Sequence, residues 1–361
     1  MFLQMCYVSL YGKDVKMKTT KTNFGTTRTG EDIFLYHLEN NNGAYVDITN
    51  LGARIVKIVV PNRDHILTDV CLGLPSGEAY ETDNAYLGAI AGRVANRIKD
   101  GRFTLEDTEY SLAINCGSNH LHGGLVGFSF KLWDAELSDN KLVLTLHSPD
   151  GEEGYPGNLT LQVTYSWSED NELSILYEAT TDKTTLLNVT NHAYFNLDGA
   201  NGTSVLSHEL FIDADSITEL DASQAPNGNF LSVEGTPFDF RELHTIEKYM
   251  SMEHPQLQTF GTYDHNFVIN GSGLREAAVL QSKKSGIRLT CFTDEPGMQL
   301  YVPKDMMDFT ATGGIRHEKY ASVCLETQHY PDAINHPNFP SIVLKPAENF
   351  RSKTIYHFSN F

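Results

Sequence analysis

The sequence predicts an all-β fold, a large antiparallel β-sandwich with few short helices, on three observations. Apolar residues recur with a period of two over many short runs, Gly, Pro, Asn and Asp punctuate those runs, and helical periodicity is scarce. In chain order, Tyr45 to Ile48 and Arg54 to Val60 flank the turn Asn50-Leu51-Gly52, and Arg102 to Leu105 and Tyr110 to Leu112 flank an acidic turn. Leu132 to Leu137 and Lys141 to His147 flank Ser138-Asp139-Asn140. The clearest hairpin sets Leu159, Leu161, Val163, Tyr165 and Trp167 on one face and Thr160, Gln162, Thr164 and Ser166 on the other. After the polar Ser168-Glu169-Asp170-Asn171-Glu172 the alternation resumes at Leu173, Ile175, Tyr177 and Ala179, as an antiparallel return strand requires. Further short strands are expected at Glu209 to Ile212, Ala277 to Leu280, Ile287 to Phe292, Met298 to Val302, Ser322 to Leu325, Ile342 to Leu344 and Thr354 to Phe358. Only Ser76 to Thr82, Leu243 to Met250 and Lys304 to Met307 have helical character, so βαβ units and a parallel sheet are not expected.

No repeat, low-complexity tract or Pro-rich linker marks a boundary, so residues 17–361 are expected to form a single domain. Residues 1–16 are an extension with no pattern that ties it to the fold. Composition is that of a globular chain, 40% hydrophobic and 20% charged, and no apolar stretch is long enough to cross a bilayer. The formal charge of -19 repels phosphate backbones and anionic lipid, which excludes nucleic acid and membrane surfaces as expected partners and favours a neutral small molecule. Cys6, Cys71, Cys116, Cys291 and Cys324 are scattered and odd in number, which fits neither a disulfide framework nor a zinc cluster. With no secretion signal at the N-terminus, a reducing, cytoplasmic location is expected. Monomer and homodimer are equally compatible with the sequence.

Polar knots interrupt this β pattern. In Gly88-Ala89-Ile90-Ala91-Gly92-Arg93-Val94-Ala95-Asn96-Arg97-Ile98 small residues allow close backbone approach and Asn96 and Arg97 supply donors for hydroxyls; a solvated surface loop would look the same. In Asn119-His120-Leu121-His122-Gly123-Gly124 an extended backbone would project both imidazoles from one face. That spacing suits a metal, but no third ligand or carboxylate partner lies nearby in sequence. Thr190-Asn191-His192 followed by Tyr194-Phe195 sets an imidazole among polar neighbours against an aromatic wall, an environment that tunes a proton donor and equally one that satisfies a core histidine. Thr262-Tyr263-Asp264-His265-Asn266-Phe267 offers a carboxylate for sugar hydroxyls, or a simple Asx-turn. Gln299, after Glu295-Pro296-Gly297, offers one more amide that could serve a hydroxyl. Cys324-Leu325-Glu326-Thr327-Gln328-His329 continues an apolar strand into a glutamate, which is costly unless the carboxylate is paired or used.

Taken in order, Gly92-Arg93-Val94-Ala95-Asn96-Arg97-Ile98, Leu121-His122-Gly123-Gly124, Thr190-Asn191-His192, Asp264-His265-Asn266-Phe267, Pro296-Gly297 before Gln299, and Leu325-Glu326-Thr327-Gln328 with Tyr330-Pro331-Asp332 resemble the aldose 1-epimerase (galactose mutarotase) family. The likeness runs from about Phe24 to about Phe358. It implies a sandwich of the galactose-mutarotase type, an open sugar cleft on one sheet, and neither metal nor organic cofactor. It also implies that Glu326, ionised, is the general base and His192, protonated, the general acid. His122 would be the second active-site histidine, and Asn96, Arg97, Asp264 and Gln299 would bind sugar hydroxyls. The implied reaction is interconversion of the α and β anomers of free aldohexoses such as glucose and galactose. The rivals are a non-catalytic carbohydrate-binding sandwich, a metal-dependent sugar enzyme built on His120 and His122, and a hexose-6-phosphate 1-epimerase, which would want a basic phosphate pocket.

Overall fold

The structure, a computed structural model, describes residues 18–138, 140–305 and 319–361. The 1–16 extension and Asp139 of the expected Ser138–Asn140 turn lie outside the described residues. Three sheets dominate. A nine-stranded sheet runs in the order Asp134–Ser138, Lys141–Ser148, Leu159–Trp167, Glu172–Thr181, Phe350–Asn360, Ile287–Thr293, Arg275–Gln281, Glu209–Ile212 and His244–Thr245. Its pairings are antiparallel. A five-stranded meander of Lys18–Thr26, Asp32–Glu39, Tyr45–Thr49, Ile55–Pro61 and Leu67–Asp69 precedes it in sequence. The third sheet, also five-stranded, orders Pro226–Ser232, Ala214–Leu220, Asp264–Ile269, Gly297–Tyr301 and Cys324–Gln328.

The alternation in the sequence is the alternation of burial. Along Leu159–Trp167 every second residue is buried, and Leu173, Ile175, Tyr177 and Ala179 repeat the pattern on the neighbouring strand. One apolar cluster takes Leu161, Val163 and Tyr177 from the nine-stranded sheet, Tyr36, Val46 and Ile58 from the meander, and Phe267, Leu300 and Leu325 from the third sheet. The two smaller sheets therefore pack on the apolar face of the large one, as layered β architectures do. In the third sheet Phe267, Leu300 and Leu325 face this core, and the alternate residues Asn266, Gln299 and Glu326 sit side by side on the opposite face. That polar face is the floor of the site.

Departures from expectation have local causes. Gly77–Tyr80 is a short helix inside the expected Ser76 to Thr82. The Leu243 to Met250 stretch is not α-helical: His244–Thr245 pairs as an edge strand and Ile246–Tyr249 makes a 3₁₀ turn. Lys304 and Asp305 lie in a bend, and Met306 and Met307 are outside the described residues. An unexpected helix, Pro255–Phe260, has proline in its first turn, a His254 side chain accepting from the Gln256 N–H, and Gly261 at φ 67° to close it. Six residues are too few to display a helical period, so only its caps announce it. Asp264–Ile269 is a strand, not the Asx-turn that would also have explained Asp264.

Candidate active site

Two-residue ladders bring the motifs together. Arg97–Ile98 pairs with His120–Leu121, so Leu121 lies opposite Arg97, and the His122 N–H reaches the Asn96 carbonyl at 3.0 Å. Ile90–Ala91 pairs with Thr190–Asn191, and the backbone of His192 is bonded on both sides, to Gly88 N–H at 3.0 Å and to Ala89 O at 2.8 Å. These loops cover the polar face of the third sheet. Between them is a cleft of about 350 Å³ lined by Asn96, Arg97, His122, His192, Asp264 and Glu326, together with Asn84, Tyr86, Tyr194 and Tyr301. Asn96 and His122 both hold left-handed backbone, φ 59° and 49°, a strain that concentrates at ligand sites.

Six of the seven site residues expected from sequence line this one cleft. Gln299 stands beside it and donates to Asp264 Oδ1 at 2.6 Å, holding that carboxylate from the neighbouring strand. Arg97 reaches Asp264 Oδ2 at 3.6 Å, Asn96 Oδ1 at 3.5 Å and Gln224 Oε1 at 3.4 Å. Arg93 is turned into the fold, where it donates to Pro156 O, Thr185 Oγ1 and Ser148 Oγ. His120 and His122 do not share a face. His120 is tied to Ala113 O at 2.8 Å and the Tyr155 hydroxyl at 2.7 Å, because the strand ends at Leu121 and the left-handed His122 turns away.

His192 Nε2 and Glu326 Oε1 stand 3.6 Å apart, both nearly inaccessible to solvent. That is beyond a hydrogen bond. Tyr194 stacks on the imidazole at 4.9 Å and 13°, Tyr86 lies parallel on it at 6.3 Å, and Tyr301 meets it edge-on. Phe195, the other half of the expected aromatic wall, enters the core instead. Burial lowers the His192 pKa to about 3, with the Arg54 charge adding to the effect. Burial, and then the Asp264 charge, push Glu326 well above the usual carboxylate range, against the pull of Arg97. Burial thus works against the ionised Glu326 and protonated His192 that the resemblance implies, and toward neutral imidazole and protonated carboxyl. The proton count is the same in both arrangements: one proton for the pair. A low dielectric disfavours separated charge, and the neutral distribution avoids it.

His122, His192 and Glu326 offer ligand atoms within 4.8 Å of one another, close enough in distance to ring a cation. The donor chemistry opposes it. The Asn96 N–H donates to His122 Nδ1 at 3.2 Å, so the neutral ring carries its proton on Nε2 and presents a donor rather than a lone pair. Burial, followed by the neighbouring His192 and Arg97, holds His122 well below the ordinary histidine range and keeps it in that neutral form. His329, the end of the last knot, does not enter the cleft. Its Nδ1 meets Glu295 Oε2 at 2.6 Å in a separate cavity of about 580 Å³.

Sequence reasoning missed Asn84, Tyr86 and Tyr301. Asn84 and Tyr86 belong to a short loop without alternation, and Tyr301 was counted only as part of a strand. It also missed the pair beneath that loop, Arg54 and Asp83, fully buried at 2.5 Å.

An antiparallel sandwich with a buried imidazole–carboxyl pair on the floor of a cleft lined by amide, guanidinium, carboxyl and aromatic side chains fits a carbohydrate-handling class, and comparison with known proteins specifies it. The family model described as aldose 1-epimerase matches residues 35–357. Galactose mutarotase of Bos taurus is 41% identical over 317 residues, 87% of this chain and 91% of its own. Aldose 1-epimerase of Escherichia coli (strain K12) is 35% identical over 334 residues, 91% and 96% of the two chains. Among solved structures, galactose 1-epimerase from Lactobacillus acidophilus NCFM superposes with a TM-score of 0.84 at 30% identity, covering 95% of this chain and 99% of its own. The chain belongs to the aldose 1-epimerase family.

Proposed function

We propose that this protein is an aldose 1-epimerase, an isomerase interconverting the α and β anomers of free aldohexoses such as glucose and galactose. The observation that carries this is the His192–Glu326 pair, 3.6 Å apart and buried at the floor of the cleft. Anomerisation needs one proton taken from the anomeric hydroxyl and one given to the ring oxygen, two oxygens on one carbon. Glu326 is the base at the hydroxyl and His192 the acid at the ring oxygen. The hemiacetal opens to the aldehyde, rotation about the bond between the first two carbons presents the other carbonyl face, and the reversed transfers close the other anomer. His122 donates from Nε2, and Asn96, Arg97 and Asp264 hold hydroxyls, with Gln299 fixing Asp264.

The burial-driven proton distribution fits this cycle. A sugar hydroxyl donating to Glu326 and a ring oxygen accepting from His192 each favour the charged form of its partner, so binding moves the one proton onto the imidazole. No proton has to enter or leave during turnover. Among described residues lining the cleft the one guanidinium is Arg97, paired with Asp264 and sharing the lining with Asp305 and Glu326, which argues for an uncharged sugar over a hexose phosphate. Cys71, Cys116, Cys291 and Cys324 are free thiols, in keeping with work in the cytoplasm, as monomer or homodimer. No helix among the described residues is long and apolar enough to cross a membrane. The shared apolar cluster supports treating the chain from residue 17 as one domain.

Polarimetry on freshly dissolved α-glucose and α-galactose, with and without protein, tests the activity. Accelerated decay of rotation to the same equilibrium value is expected. Decay at the spontaneous rate for every free aldose would leave a sugar-binding sandwich instead.

A further inference from the structure

The loop from Asp83 to Leu87 is built like a recognition element. Its interior is a buried clamp: Asp83 Oδ2 accepts from Arg54 Nη1 at 2.5 Å and from the Leu87 N–H at 2.7 Å, and Oδ1 accepts from the Ala85 N–H at 2.9 Å. Arg54 also donates to the carbonyls of Leu87 and Ser129, each at 3.0 Å. From the cleft side the Tyr194 hydroxyl donates to Ala85 O at 2.6 Å. So braced, the loop holds Tyr86 in left-handed backbone at φ 59°, with its ring 4.6 Å from His122 and parallel to His192. Asn84 and Tyr86 both line the cleft. Neither side chain hydrogen-bonds a described residue, so the exposed Asn84 amide and the hydroxyl of Tyr86, whose ring packs on His122 and Phe130, are donors and acceptors open to a ligand.

We propose that Asn84 and Tyr86 are specificity-determining residues of the sugar site, reading non-anomeric hydroxyls that Asn96, Arg97 and Asp264 leave unread. This rests on the epimerase function above. The Asp83 clamp fixes the backbone from which both side chains reach, and the Tyr86 ring is further held against His122 and His192, so each group is expected to read one hydroxyl position. The test is kcat/KM by polarimetry for Tyr86→Phe and Asn84→Ala on glucose and on its 2-, 3-, 4- and 6-deoxy analogues. Each variant should lose roughly 3- to 10-fold on glucose, the value of one hydrogen bond, and lose nothing on the one analogue that lacks the hydroxyl it reads. Equal losses across the whole panel, or losses under about twofold throughout, overturn the proposal. Glu326→Gln run alongside separates the two claims. If that variant is inactive, a flat panel removes only the specificity role of the loop, whereas a fully active Glu326→Gln removes the acid–base function itself.

Discussion

Glu326→Gln is the most informative single change, because activity and stability should move in different directions. The substitution keeps the shape of a side chain that is 2% exposed and removes only its capacity to exchange a proton. A positioned acid or base is worth about 10²–10⁴ in rate. At about 1.36 kcal/mol per tenfold, that is about 2.7–5.4 kcal/mol of barrier. Binding should survive in part, since Asn96, Arg97, His122 and Asp264 are untouched. Stability follows from the raised Glu326 pKa. The folded state holds this proton more tightly than the unfolded chain, so ionising Glu326 destabilises the fold progressively as pH rises from the unfolded value through the folded one. Glutamine has no charge to bury, so the variant should melt no lower than wild type near neutral pH, and its advantage should vanish in acid. Polarimetry for kcat and KM, with thermal unfolding at pH 5 and pH 8, reads both effects. Near-normal turnover refutes the assignment of the base. Lost turnover accompanied by a lower melting temperature shows that Glu326 holds the fold together instead.

Three other outcomes are expected. Arg97→Ala should raise KM by roughly 10- to 100-fold, the value of a charge-assisted hydrogen bond, alongside a loss of rate; an unchanged KM counts against Arg97 as a hydroxyl reader. Asp83→Asn leaves Arg54 buried and unpaired, so denaturant unfolding should show a loss of about 3–5 kcal/mol, and a loss under about 1 kcal/mol, the scale of an exposed pair, would contradict the buried clamp. The profile of kcat/KM against pH reports the free protein: its acid limb should lie near the His192 value of about 3, where a second proton joins the pair, and its alkaline limb where the pair loses its only proton, above the usual carboxylate range. An acid limb at the ordinary carboxylate position would refute the neutral pair.

Strands were legible wherever one face is buried and the other wet. Leu159 to Trp167 and its return strand are the plainest case, because burial there follows every second residue. Sheet order was not legible. The last strand, Phe350–Asn360, sits between Glu172–Thr181 and Ile287–Thr293, pairings remote in sequence that no local pattern encodes. Of the site, the motif-bearing residues were visible, and Asn96, Arg97, His122, His192, Asp264 and Glu326 line one cleft. Hidden were residues whose role depends on a neighbour remote in sequence: Asp83, meaningful only against Arg54, and Tyr86, meaningful only beside two imidazoles from other loops. The His120–His122 spacing misled for the complementary reason. Same-face projection assumes extended backbone, and His122 leaves it at φ 49°.

The charge states of the pair were also beyond the sequence, and they bear on why the site is buried at all. An imidazolium and a carboxylate 3.6 Å apart in water would hold their charges and their hydration, and each transfer would have to disturb that solvent. In this cleft burial raises the cost of both charges, so the ionic and neutral distributions of the single proton are drawn together in energy when the oxygens of a sugar arrive to stabilise the ionic one. In the proposed cycle this lowers the cost of transfer in both directions. A reaction that opens and closes the same ring needs both directions, since favouring either strongly would slow the other. The proposed pair is set by placing Glu326 on a core strand and His192 parallel to Tyr194 and Tyr86, with Arg97 and Asp264 exerting opposite pulls on the carboxyl.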